Sequence, residues 1–104
     1  MSSALQSFEN AIANGSPPAD LSPPLRALWL DARGDWHGAH KCVDTLEQPC
    51  VDADAMWVHA YLHRKEGDLW NAGYWYRRTG RPVAAGALEA EWRTIAAALL
   101  AKAA

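Results

Sequence analysis

Residues 27–39, Ala27-Leu-Trp-Leu-Asp-Ala-Arg-Gly34-Asp35-Trp-His-Gly-Ala39, and residues 60–72, Ala60-Tyr-Leu-His-Arg-Lys-Glu-Gly67-Asp68-Leu-Trp-Asn-Ala72, follow one pattern 33 residues apart. In each, a small residue is followed by a Gly-Asp pair and then, five residues after the glycine, by alanine. Glycine ends one helix, aspartate caps the next, and the alanines let two helices cross closely. The apolar stripe at 36, 39, 43 and 46 maps onto 69, 72, 76 and 79. These are the positions that geometry fixes in a repeated helical hairpin.

Outward from this pair the spacing stays helical, and no segment sustains a period of two. Leu5, Phe8 and Ile12 predict a first helix over about 2–14, closed by Gly15 and the Ser16-Pro17-Pro18 breaker. Ser22 before Pro23-Pro24 reads as an N-cap with proline in the first turn, and Leu25, Leu28, Trp29 and Ala32 form the next stripe. Asp35 caps a third helix, Pro49 and Cys50 mark a turn, and a fourth helix is expected from Asp54 to Glu66. Asp68 caps a fifth, ending at Gly80. Leu88, Trp92, Ile95 and Leu99 place a last helix in about 84–103. The expectation is one all-α domain over residues 1–104. Two antiparallel hairpins, about 21–48 and 54–80, stack as a short right-handed solenoid between capping helices.

Ala27…Gly34-Asp35…Ala39…Val43 and Ala60…Gly67-Asp68…Ala72…Tyr76 resemble the tetratricopeptide-like helical hairpins over about residues 21–80. Pro23 and Arg26 stand near where that family has an early tryptophan and leucine, and neither unit ends in proline. The run from Trp57 to Asp68, with Asn71-Ala72 and Tyr74-Trp-Tyr-Arg-Arg78, also looks like a group of uncharacterised bacterial proteins of this type. The resemblance implies a helical fold and would set Trp57, Tyr61 and Arg64 on a concave, ligand-facing side. It puts His59 and His63 at packing positions.

The 104 residues are half apolar with a net charge of −2, which argues against disorder and against general affinity for nucleic acid or anionic membrane. The longest apolar run, 95–101, is too short to span a bilayer, and the first residues lack the basic and apolar regions of a secretory leader. Two cysteines are too few for a disulfide framework, so a cytoplasmic setting is expected.

Residues 57–81 are chemically the densest. They carry a local charge of +3 on an acidic chain, together with three of the six tryptophans and all three tyrosines. Arginine binds carboxylates bidentately and stacks on rings, so the first expectation is a protein or peptide partner held by an aromatic and arginine surface. Trp57, His59, Tyr61, His63, Arg64, Asn71, Trp75, Arg77 and Arg78 are the candidate residues. A second reading is a small anionic metabolite held by His59, His63, Arg77 and Arg78, and a third is a metal-dependent enzyme. The end surface of so short a solenoid also invites a homodimer. His59 and His63 in packing positions call for partners such as Glu66, Asp31 or a tyrosine hydroxyl. Asn71, Trp75 and Arg78 make a stripe that Leu88 and Trp92 would most simply cover. The pairs His59/His63 and His37/His40 each lack a third metal ligand at a recognisable spacing. No nucleotide loop, nucleophile elbow or paired carboxylates occur, so no catalytic residue, metal or cofactor is assigned.

Overall fold

The computed structural model describes residues 3–44 and 52–103, and these form six helices and no strand: α1 (Ser3–Asn14), α2 (Pro23–Ala32), α3 (Trp36–Val43), α4 (Ala53–Glu66), α5 (Leu69–Thr79) and α6 (Leu88–Ala103). The all-helical class and the helix count agree with the sequence. Leu46, Pro49 and Cys50, on which the end of α3 and the next turn were placed, lie outside the described residues.

The two quoted segments adopt the same local structure. Gly34 and Gly67 both stand at positive φ, 87° and 92°, a backbone state that other residues enter only at a cost. The Asp35 side chain accepts from the Gly38 N–H, and the Asp68 side chain accepts from the Asn71 N–H, its counterpart 33 residues on. Each aspartate thereby satisfies one of the free donors at its helix start. Ala27, Ala39, Ala60 and Ala72 are all fully buried, as close helix crossings require. Three boundary details differ from expectation. Ser22 makes no side-chain cap, the prolines behind it supplying the helical φ, and Asp52 caps α4 one residue early, leaving its start at Ala53. Residues 81–87 are not helical, so α6 begins at Leu88 rather than near 84.

α2 packs on α3 and α4 on α5, with α3 against α4 joining the two pairs. α6 lies on α1, α2 and α4. The main core gathers Phe8, Leu28, Val43, Val58, Leu62 and Ile95 from five helices. A smaller one holds Ala60, Ala72 and Tyr76. Phe8 stacks on Trp92 with centroids 5.9 Å apart, and the Trp92 indole donates to the Leu28 carbonyl at 3.1 Å, which sets α6 on α2. α6 therefore does not cover the Asn71/Trp75/Arg78 stripe: Leu88 and Trp92 are committed to the main core instead. No helix of the described residues is long and apolar enough to cross a membrane.

Candidate functional site

His40 on α3 meets His59 and His63, which share a face of α4 one turn apart. One ring nitrogen from each imidazole lies within 4.8 Å of those of the other two. Nε2 of His40 and Nε2 of His59 are 3.1 Å apart, close enough for one proton to bridge them. Trp36 fixes this meeting. Its indole donates to the Leu62 carbonyl at 2.8 Å, tying α3 to α4, and its ring stacks on His40 with centroids 5.0 Å apart. Trp75, from α5, stacks on the outer face of His59 at 4.2 Å.

Two carboxylates flank the cluster. Glu66 Oε2 is 2.6 Å from Nδ1 of His63, and Asp44 Oδ2 is 4.0 Å from Nδ1 of His40. His59 is only 3% exposed, and its Nδ1 is buried with no side-chain hydrogen-bond partner. Burial is the main cause that drives the His59 pKa down to about 4, with His40 and His63 adding to it against weaker opposite pulls from Asp44 and the Val43 backbone. Burial likewise holds His40 below its ordinary range, with Asp44 opposing. Near neutral pH the His59 ring is therefore uncharged.

From Trp75 a chain of rings runs to the surface. Tyr74 meets Trp75 edge-on at 5.2 Å, and Trp70, 76% exposed, stacks over Tyr74 at 6.4 Å. The Arg78 guanidinium lies over both Tyr74 and Trp75, 5.5 and 5.4 Å from their centroids, and its Nη1 donates to the Tyr74 hydroxyl at 3.2 Å. Leu69 and Val83 are also exposed. The result is a ladder of aromatic rings, crossed by Arg78, on the outer side of α5.

The remaining predicted residues sit elsewhere. Tyr61 is 2% exposed, and its hydroxyl donates to Asp31 Oδ2 at 2.8 Å; Lys65 Nζ meets the other oxygen of Asp31 at 2.9 Å. Arg64 is turned toward α6, where it pairs with Glu91 Oε1 at 2.9 Å and donates to the Gly86 carbonyl. The Tyr76 hydroxyl donates to the second oxygen of Glu91. Burial, reinforced by these carboxylates, raises the pKa of both tyrosines. Trp57 is half-buried with the Arg81 guanidinium 3.8 Å from its ring centre, at the edge of a cleft of about 540 Å³ shared with Tyr76 and Glu91. Asn71 Nδ2 donates to Asp68 at 2.7 Å and so belongs to the α5 cap. Arg77 is exposed near the end of α5.

The structure thus joins His59, His63, Trp75 and Arg78 in one continuous assembly and turns Tyr61 and Arg64 into internal ties. His63 does have the Glu66 partner that its packing position called for. The predicted set lacked His40. Its only sequence signal was the His37/His40 pair, and the contact that gives it meaning crosses between α3 and α4. Comparison with family models, curated proteins and solved structures finds no match to the chain.

Proposed function

We propose that the chain is a non-catalytic interaction module in which α2–α3 and α4–α5 are tetratricopeptide-like hairpins stacked as a short right-handed solenoid. The partner is an acidic peptide segment taken on the outer face of α5. The observation that carries this reading is the exposed Trp70–Tyr74 ladder with Arg78 laid across it. Tryptophan, tyrosine and arginine are the side chains that concentrate binding energy at protein interfaces, because they bury large rigid area and fix one charge. Leu69 supplies further apolar area, while Arg77 and Arg78 offer a carboxylate its donors. Arg77 and Arg78 in the last turn of α5 favour an acidic segment.

The metabolite reading fits less well. An anion at His59 needs a protonated ring, and burial opposes that charge. Screening a displayed peptide library of acidic and aliphatic residues tests the module. Trp70→Ala and Arg78→Ala should each weaken the selected peptides at least about tenfold while leaving the melting temperature in place. Binding that ignores both substitutions, or a library without binders, overturns the reading.

A further inference from the structure

We infer that His40, His59 and His63 form a binding site for one borderline transition-metal ion such as Zn2+, between α3 and α4 and beneath the α5 ladder. This inference is independent of any partner on α5.

Three observations carry it. The first is convergence: ring nitrogens of three imidazoles, supplied by two helices, lie within 4.8 Å of one another. Two ligands of a tetrahedral zinc at ordinary Zn–N lengths stand about 3.3 Å apart. The two Nε2 atoms of His40 and His59 are at 3.1 Å. Small rotations of the rings bring the third nitrogen in.

The second is the carboxylates behind the rings. Metal-bound histidines generally donate their other N–H to a carboxylate, which fixes the tautomer and makes the ligand more basic. Glu66 stands 2.6 Å from Nδ1 of His63, and Asp44 lies on the Nδ1 side of His40 at 4.0 Å. With protons on Nδ1, both rings turn Nε2 lone pairs inward, and the two negative charges balance a divalent cation.

The third is unmet polarity. The His40–His59 contact uses a single proton between two nitrogens, and His59 Nδ1 is buried with no side-chain partner. A packing role alone is served better by leucine or phenylalanine, which carry no such penalty. The stacked Trp36 and Trp75 rings hold the imidazoles in place and shield them on two sides.

All three protein donors are imidazole nitrogens. That set suits zinc, copper, nickel or iron and is poor for magnesium or calcium. Three ligands leave a fourth position of a tetrahedral ion for water or another donor.

The test uses untagged protein stripped with chelator and titrated with Co2+ and, by calorimetry, with Zn2+. The expected result is one ion per chain, visible d–d absorption of tetrahedral cobalt, and quenching of tryptophan fluorescence through Trp36 and Trp75. His40→Gln, at the half-exposed member, is the variant least exposed to misfolding. It should lower Zn2+ affinity at least about a hundredfold, and Glu66→Gln by about tenfold or more. His37→Gln, at an exposed histidine outside the cluster, should change nothing. Melting of each variant in chelator separates lost metal from lost fold. No cobalt spectrum in the wild-type chain, or Zn2+ binding that survives His40→Gln unchanged, overturns the site.

Discussion

The Tyr61 hydroxyl donates to the Asp31 carboxylate at 2.8 Å, joining α4 to α2 inside the protein, and neither residue is more than 3% exposed. Lys65 holds the other carboxylate oxygen, so a buried charge is neutralised and bonded at both oxygens. Tyr61→Phe removes one donor and leaves that oxygen of Asp31 unsatisfied. The expected loss of unfolding free energy is about 1–3 kcal/mol, read from urea denaturation.

The same contact predicts alkaline behaviour. Tyr61 and Tyr76 have pKa values raised in the folded state, by burial first and by Asp31 and Glu91 next. In the unfolded chain they ionise near the ordinary value of about 10. Above that pH the folded state binds more protons than the unfolded one, so stability falls as pH rises. Below it their contribution is fully present. Melting temperatures between about pH 9 and about pH 11 should drop. The slope should be shallower in Tyr61→Phe, whose baseline stability is lower.

Arg64 offers a sharper contrast between a surface role and an internal one. Its side chain is 13% exposed and that of Glu91 7%, and with Tyr76 they link α4, α5 and α6. Arg64→Ala strands most of a buried carboxylate's charge and should cost about 3–5 kcal/mol. Trp70→Ala, at a side chain mostly in solvent, should stay within about 0.5 kcal/mol of wild type. Parallel thermal melts distinguish the two.

Two glycines in adjoining segments should respond with opposite signs. Gly67 sits at φ 92°, so Gly67→Ala is strained despite open space around it and should cost about 1–2 kcal/mol. Gly73 lies inside α5 with ordinary backbone, and a Cβ there first meets the flexible Arg77 guanidinium at 3.4 Å. Gly73→Ala should gain about 0.5–1 kcal/mol by lowering the entropy of the unfolded chain. Equal effects at the two positions would contradict the assigned backbone.

By itself the sequence determined the helices and the two Gly-Asp junctions that separate them. Gly34-Asp35 and Gly67-Asp68 are local devices: a positive φ and a cap within three residues need nothing from the rest of the chain. The alanines at 27, 39, 60 and 72 announced close crossings for the same reason, since only small residues permit them. Tertiary structure alone decided which way the chemistry faced. Tyr61 and Arg64 on α4 could equally have met solvent, and they are inside because residues 81–87 bring α6 back with Glu91, while α2 presents Asp31. His40 joined His59 and His63 only when Trp36 closed α3 onto α4. Such contacts span 19 to 34 positions of chain. Helical periodicity reports which residues share a face over a few turns, and it carries no information on which distant element that face will meet.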